Sequence, residues 1–152
     1  NNELTDFTFG PADGDPNLPG PGKRPRSSMA PTIVVKDGRP LLAVGSPGGS
    51  TIITTVLQIL VNRFEFGMPL PEALAAPRAS QRNTETTQAE QPFIDAHGAE
   101  LTALGHAFTV APGPGGGEIG AATALEFLGN GKVQAVAEPT RRGGGSALVV
   151  RP

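Results

Sequence analysis

The sequence predicts a protein of the α+β class in which helices lie between two groups of strands. Three observations predict it: a β-hairpin signal near residue 37, an amphipathic stretch that follows a glycine-rich turn, and several short apolar runs separated by turns. The length of 152 residues suits one domain. The 21 glycines and 16 prolines favour tight turns and extended segments over a helical bundle.

The first half of the chain is predicted to contain a loop and then a hairpin. Residues 8–26 are dense in Gly, Pro and Asp and indicate a loop. Residues 31–36 and 41–44 are apolar and flank Asp37-Gly38, which is the strongest short hairpin signal. Because both runs are apolar almost throughout, we expect both faces of these strands to be buried.

Three helices are predicted from spacing and end signals. Residues 51–64 place apolar side chains on one face, and Ser50 is the expected N-cap. A short helix covers 71–76, with a proline at its start. A third covers 93–104 and stops before Gly105.

The remaining strands are expected as short runs between these helices and after them. Their predicted ranges are an irregular strand within 79–91, and strands at 108–110, 121–128, 133–137 and 147–150.

Composition excludes several classes of function. Twelve Lys and Arg against 14 Asp and Glu give a formal charge of -2, which leaves no electrostatic footprint for nucleic acid. The absence of cysteine removes disulfides, thiolate zinc sites and a cysteine nucleophile. Two histidines, His97 and His106, are too few for a histidine-built metal site and are interpreted as structural. We expect no metal and no cofactor, and no apolar run is long enough for a membrane span.

The motif Ser46-Pro47-Gly48-Gly49-Ser50 lies between a predicted strand and a predicted helix. The N–H groups of its two glycines, at the positive end of a helix dipole, could bind an anion or a developing oxyanion. Backbone geometry alone also accounts for a glycine turn here. The lysine of a phosphate-binding loop is missing.

Three further polar motifs are ambiguous when each is taken alone. Ser27-Ser28 could bind a carboxylate or simply cap a loop end. Glu3 and Asp6 could hold an ammonium, act as an acid/base pair or be solvated loop charges. Arg141-Arg142, followed by three glycines, could bind phosphate, but we interpret the segment as a solvated turn.

Taken together, these motifs occur in the order found in one known family. They are Asn1-Asn2-Glu3-x-x-Asp6-Phe7, then 23–34, then 45–53, with Glu72-Ala73, Ala76-Pro77-Arg78 and a closing segment at 138–144. The chain resembles the small, catalytic subunit of γ-glutamyltransferases, also called glutathione hydrolases, over nearly its whole length.

The resemblance implies an N-terminal-nucleophile hydrolase with a four-layer αββα sandwich shared between two subunits. Residues 1–152 would form the catalytic small-subunit portion, an incomplete part completed by other chain segments. In that family a precursor cuts itself, and the new N-terminal Thr attacks the γ-glutamyl carbonyl with its own α-amine as general base. Water or an amino acid then takes the acyl group.

Six residues of this chain receive roles from the resemblance. The Gly48 and Gly49 amides would stabilise the oxyanion, the Ser27 and Ser28 hydroxyls would bind the substrate α-carboxylate, and the Glu3 and Asp6 carboxylates would hold its α-ammonium.

Two departures from the family pattern set further expectations. The nucleophilic Thr is expected upstream of Asn1, outside this chain, and Thr5 is not a credible nucleophile, so we expect this polypeptide alone to be inactive. The region 8–26 is read as a shortened lid loop, which implies an open pocket tolerant of bulkier groups. The expected partners are the large subunit and the nucleophile-bearing segment of the same precursor, and export follows from the family's usual location.

Two other functions stay open on the sequence. The first is an acylase of the same superfamily that removes glutaryl groups from β-lactam side chains. The pair Glu3 and Asp6 favours γ-glutamyl chemistry over it, because a glutaryl group has no ammonium to bind. The second is a non-catalytic remnant or binding module.

Overall fold

The computed structural model describes residues 6–8, 14–113 and 117–150, except for the side chain of Asn130. Along the chain the elements are β1 (Thr32–Lys36), β2 (Arg39–Gly45), α1 (Ile52–Phe64), α2 (Leu70–Ala75), β3 (Ala79–Ser80), β4 (Thr87–Ala89), α3 (Gln91–Ala103), β5 (Phe108–Val110), β6 (Thr123–Phe127) and β7 (Val133–Ala137). Short 3-10 turns cover Gly49–Thr51, Gly129–Gly131 and Arg141–Gly143.

These strands form two sheets, which confirms the predicted α+β class. The larger sheet is antiparallel throughout, with the strand order β1-β2-β6-β7. The smaller sheet has the order β3-β4-β5, in which β4 and β5 run parallel.

The hairpin between β1 and β2 turns at the residues that the sequence predicts. Asp37 and Gly38 have φ angles of 51° and 73°, so both central residues are left-handed. A two-residue turn of this kind matches the twist of the flanking strands. The hairpin brings the start of β1 next to the end of β2, where Thr32 pairs with Val44.

The core lies between one face of the larger sheet and the first two helices. Side chains at alternate positions of β2 and β6 point to α1 and α2, as the period of two in a strand requires. The buried cluster consists of Leu42, Val44, Val56, Ile59, Leu70, Leu74, Ala122 and Ala124.

The opposite face of the larger sheet is open among the described residues. Ile33, Ala43, Leu125 and Ala135 lie in register across its four strands on this face. Ile33 is 68% exposed and Leu125 is 41% exposed. The prediction that both faces of the hairpin strands are buried is therefore wrong for this chain, since its helices cover only one face.

Two local predictions are wrong, and one prediction is refined. Ser50 is not an N-cap: the 3-10 turn precedes α1, and the Ser50 hydroxyl accepts a hydrogen bond from Arg82. Residues 147–150 form no strand, because no neighbouring strand pairs with them within the described residues. The irregular strand predicted within 79–91 is β3 and β4, joined by a loop.

Candidate active site

The glycine turn after β2 has a shape that only glycine satisfies at its first position. Gly48 has a φ of 149°. A Cβ added there would lie 2.8 Å from the Thr51 hydroxyl and 3.4 Å from the Cα of Gly120. Gly49 has a φ of 58°, with open space where a Cβ would be. The Gly48 carbonyl accepts hydrogen bonds from both the amide and the hydroxyl of Thr51, which closes the turn.

The amides of this turn are free donors with respect to the described part of the chain. No described group accepts a hydrogen bond from the N–H of Gly48 or Gly49. Gly49 is exposed and Gly48 is half-buried, and both precede the N-terminal end of α1. Two unpaired donors at the positive end of a helix can stabilise a negative oxygen.

A second segment supports the turn from behind. The Ala121 amide donates to Ser46 Oγ at 3.1 Å, and Gly120 packs against Ser46 and Thr55 so closely that a Cβ there would lie within 3 Å of both hydroxyls. Gly120 has a φ of 69°. Gly120 is therefore a glycine for reasons of both space and backbone angle.

Three of the predicted substrate-binding residues, Asp6, Ser27 and Ser28, are described and precede β1. Ser27 is exposed and Ser28 is half-buried, and both precede β1 at the end of the hairpin where β2 runs into the glycine turn. Asp6 is half-buried, and its carbonyl accepts a hydrogen bond from the side chain of Asn17. Asn17 also accepts a hydrogen bond from the Arg26 amide, next to Ser27. Glu3 and Thr5 lie outside the described residues.

The structure thus joins Asp6 to the segment of Ser27 through one intermediate side chain. It places Ser28 and the glycine turn at the same end of one hairpin. Among the residues that can be described, no hydrogen bond joins the side chain of Asp6 or of either serine to Gly48 or Gly49.

A buried cluster of four charges lies behind the site, and the sequence reasoning missed it. Arg78, Glu90, Glu138 and Arg141 are each at most 6% exposed. Arg141 binds both carboxylate oxygens of Glu90 at 2.6 Å, and Glu138 is shared between Arg141 and Arg78 at 2.8 Å each. The interpretation of Arg141 as part of a solvated turn is wrong.

The ion cluster also holds backbone. Glu90 accepts from the amides of Arg78 and Ile119, both at 2.9 Å, while Arg78 donates to the Ile119 carbonyl at 2.7 Å. The two arginines donate to carbonyls at the end of α2 and just beyond it, namely Leu74, Ala75 and Ala76. The cluster therefore ties the last turn of α2 to the segment that supports the glycine turn.

The shifts in pKa within the cluster follow from burial and pairing. Burial lowers the pKa of Arg78, and the neighbouring Arg141 lowers it further. Burial also acts to lower the pKa of Arg141, but its bonds to Glu90 outweigh that effect and raise it. Burial acts to raise the pKa of Glu90, but hydrogen bonds from Arg141 and from backbone amides hold that pKa below its ordinary value of 4.5.

A sequence signal for the cluster did exist. Arg78 follows Ala76-Pro77, and Glu138 and Arg141 lie in the closing motif, so both segments belong to the family resemblance. The motifs do not indicate that Arg78 pairs with Glu138, because these two residues are 60 positions apart in the sequence.

The described residues offer neither a cluster of metal ligands nor a membrane-spanning helix. They contain no group of three or more His, Cys, Asp or Glu placed to hold a metal ion. None of the helices in the described ranges has the length and apolar character to cross a membrane.

Comparisons with known proteins agree with the motifs and the fold. Residues 1–148 match the profile of the family described as Gamma-glutamyltranspeptidase. The glutathione hydrolase proenzyme of Bacillus subtilis strain 168 is 40% identical over 144 residues, which cover 94% of this chain. The gamma-glutamyltranspeptidase of Pseudomonas nitroreducens, solved with L-DON, superposes with a TM-score of 0.81 and 31% identity over 99% of this chain and 81% of that chain.

An acylase is also related. The Acylase ACY 1 proenzyme of Pseudomonas sp. strain SE83 is 35% identical over 111 residues, or 73% of this chain and 20% of its own length. The solved structures that match include gamma-glutamyltranspeptidases and a cephalosporin acylase, which are N-terminal-nucleophile hydrolases. The chain spans only 24% of the Bacillus subtilis proenzyme and 15% of the Escherichia coli one. With the profile match over nearly all of its residues and the shared fold, this chain belongs to the gamma-glutamyltranspeptidase family.

Proposed function

We propose that the protein carrying this chain transfers or hydrolyses the γ-glutamyl group of glutathione and related γ-glutamyl amides. An N-terminal Thr supplied by a segment upstream of Asn1 attacks the γ-carbonyl, and its own amine takes the hydroxyl proton. The γ-glutamyl-enzyme then passes its acyl group to water, an amino acid or a peptide. Residues 1–152 are the catalytic small-subunit portion, and 8–26 form the shortened lid region.

The observation that carries this proposal is the pair of unpaired amides at Gly48 and Gly49. A tetrahedral intermediate develops negative charge on the former carbonyl oxygen, and donors already aimed at that position need no reorganisation. One such donor contributes about 3 kcal/mol to lowering the barrier. The hydrogen bonds from the Thr51 amide and hydroxyl to the Gly48 carbonyl support a turn whose shape is set before substrate arrives.

Substrate recognition is proposed to use opposite charges around the α-carbon of the γ-glutamyl group. Asp6 and Glu3 take the α-ammonium, and the hydroxyls of Ser27 and Ser28 take the α-carboxylate. The bridge from Asp6 to Arg26 through Asn17 supports this assignment, because it holds the two halves of the subsite near each other.

The open face of the larger sheet is proposed as the contact with the rest of the precursor. Its apolar row, Ile33, Ala43, Leu125 and Ala135, borders a shallow groove of about 730 Å³. Sheets that pack face to face bury such rows about 10 Å apart. A second sheet from the large subunit and the nucleophile-bearing segment would complete the αββα sandwich. The relatives are named proenzymes, which fits a precursor processed into subunits.

The second candidate function is the removal of glutaryl groups by a β-lactam acylase. The relationship to the Acylase ACY 1 proenzyme is the observation that favours it. The two candidates differ in one chemical group, since a glutaryl substrate keeps the terminal carboxylate but lacks the ammonium.

The experiment is a pair of measurements on the purified intact protein. The mass and N-terminal sequence of every polypeptide are determined, and turnover is measured with γ-glutamyl-p-nitroanilide and glutaryl-p-nitroanilide. We expect a polypeptide with an N-terminal Thr upstream of Asn1. We also expect kcat/KM to favour the γ-glutamyl substrate by about tenfold to a hundredfold, which is the usual contribution of a charged hydrogen bond.

The result decides between the candidates. A preference for the glutaryl substrate would establish the acylase, and no turnover of either substrate by a processed protein would remove the catalytic proposal.

Fractionation of the source cells tests the proposed export: periplasmic or extracellular protein supports it, and cytoplasmic protein contradicts it.

A further inference from the structure

The loop that leads to β1 is held together by the side chain of Asn17. Its Nδ2 donates to the carbonyl of Asp6 at 2.8 Å and to Thr8 Oγ1 at 3.2 Å. Its Oδ1 accepts from the amide of Arg26 at 2.9 Å. The amide side chain thus uses both of its polar atoms on partners within the loop.

The Asn17 main chain strengthens the same bridge. The Asn17 amide donates to Asp15 Oδ1 at 2.7 Å, and its carbonyl accepts from the Thr8 amide at 3.0 Å. The hydrogen bond from the Asn17 amide lowers the pKa of Asp15. The Asp15 carboxylate therefore stays ionised, and able to accept this bond, at lower pH than an ordinary aspartate. Asn17 therefore has little freedom to move independently of its neighbours.

This bridge joins two stretches that the proposed function needs close together. Asp6 lies 11 residues before Asn17, and Arg26 lies 9 residues after it. Asp6 is assigned to the α-ammonium, and Ser27, next to Arg26, to the α-carboxylate. Both substrate groups sit on one carbon, so the residues that bind them must keep a fixed separation.

We propose that Asn17 is a positioning residue that sets the separation between Asp6 and the Ser27-Ser28 pair, and thereby the preference for donors that carry an α-ammonium. The inference rests on the proposed function. Asparagine suits this task because it donates and accepts from one short planar group. Aspartate has the same shape, but it would place a carboxylate oxygen where the Asn17 Nδ2 donates to the Asp6 carbonyl. Two acceptors would then face each other, and the hydrogen bond would be lost.

The test uses Asn17→Asp in the intact protein, with both p-nitroanilides as substrates. For the γ-glutamyl substrate we expect KM to rise by about tenfold or more, with kcat within about threefold. For the glutaryl substrate, which does not use Asp6, we expect kcat/KM within about threefold of the unsubstituted protein. A purely structural role would lower activity with both substrates alike.

The Asp6→Asn variant separates action through Asp6 from any other path. In the Asp6→Asn protein, Asn17→Asp is expected to change the selectivity between the two substrates by less than about threefold. The reason is that the ion pair between Asp6 and the substrate α-ammonium is already lost. Asn83→Asp is the matched control. Asn83 is exposed and has a φ of 59°, which aspartate also tolerates. The activity of the Asn83→Asp variant should therefore equal that of the unsubstituted protein.

Binding of the products L-glutamate and glutarate, measured by calorimetry, gives a readout that needs no turnover. Asn17→Asp and the smaller Asn17→Ser should weaken L-glutamate and leave glutarate unchanged. The proposal would be overturned if Asn17→Asp lowered kcat/KM equally for both substrates. It would also be overturned if the effects of Asn17→Asp and Asp6→Asn on selectivity were additive. Failure of both Asn17 variants to fold would also overturn it, since Asn17 would then serve the fold. Failure of the proposed function itself would appear earlier, as an unsubstituted protein without γ-glutamyl selectivity.

Discussion

Gly48 and Gly49 are neighbours in sequence but are glycines for different physical reasons. Gly48 combines a φ of 149° with contacts that leave no room for a Cβ. Gly49 needs only its φ of 58°, since a Cβ there would meet nothing within 4 Å. Side chains are therefore tolerated very differently at two positions that share one proposed role, and this difference allows the backbone amide to be tested separately from the side chain.

At Gly49 we predict that replacing the amide by an ester, through semisynthesis with glycolic acid, lowers kcat by about a hundredfold to a thousandfold. KM should change little, because the oxyanion exists only after attack on the carbonyl. Gly49→Ala keeps the N–H and should retain turnover, at a cost to folding of about 1 kcal/mol for its left-handed backbone. Gly49→Pro is less informative, because proline cannot adopt a φ of 58°.

Gly38→Ala is the matched control for folding. Gly38 also has a positive φ, 73°, and open space around a Cβ, but it lies at the far hairpin turn. The two alanine variants should lose similar unfolding free energy in denaturant titrations. An ester at Gly49 that leaves kcat unchanged would remove this amide from the mechanism.

At the scale of elements, the buried ion cluster connects α2, the start of α3 and the segment beyond β7. Two arginines and two glutamates bring equal and opposite formal charges into the interior. Buried pairs of this kind contribute little net stability as a set, but the loss of one member is costly because its partners stay buried. The Nε of Arg78 is already buried without a hydrogen-bond partner among the described residues.

For Glu90→Gln we predict a loss of about 3 to 5 kcal/mol of unfolding free energy at neutral pH. The pH dependence carries a second expectation. Because the pKa of Glu90 in the folded protein lies below 4.5, its stabilisation is present above that pH and is lost as the pH falls through the lower, folded value. The unsubstituted protein should therefore lose stability below about pH 4.5 more steeply than the variant.

Denaturant unfolding of the intact protein at pH 7 and at pH 4 and below measures both effects. Glu72→Gln is the control, since Glu72 is exposed in the first turn of α2 and should change stability by less than about 0.5 kcal/mol. Identical pH profiles for Glu90→Gln and the unsubstituted protein would contradict the assigned role.

At the scale of the whole molecule, one face of the larger sheet carries an exposed apolar row among the described residues. A sheet with a core on one side and an apolar row on the other requires a second layer. Ile33 and Leu125 are the most informative positions on that row, because both are large, apolar and exposed.

We predict that Ile33→Asp or Leu125→Asp weakens association with the rest of the precursor by about a hundredfold or more, because a charge would be buried between two sheets. Co-purification of the coexpressed segments at increasing dilution measures the effect. Leu104→Asp is the control, since Leu104 is 73% exposed at the end of α3, away from the sheet. Equal retention in all three variants would show that the partner packs elsewhere.

Much of the fold could be predicted because its signals are local. The Asp37-Gly38 turn, the apolar spacing of α1 and the stop at Gly105 each depend on residues within a few positions of one another, and the structure confirms them. The failed predictions concern tertiary context. Residues 147–150 have a strand-like composition, but no strand of the described residues pairs with them. The Ser50 hydroxyl accepts a hydrogen bond from Arg82 and so does not cap the helix.

The sequence by itself determined the α+β class, the hairpin, the order of the motifs and the family. Each of these depends on short segments whose residues are neighbours along the chain. Only the tertiary structure decided that Asn17 bridges Asp6 to Arg26 and that Arg141 is buried on Glu90. It also decided that one face of the larger sheet is left open by the residues that the structure describes. The physical reason is distance along the chain: a side chain's partner is set by which elements pack together. Packing brings together residues such as Arg78 and Glu138 that no local pattern links.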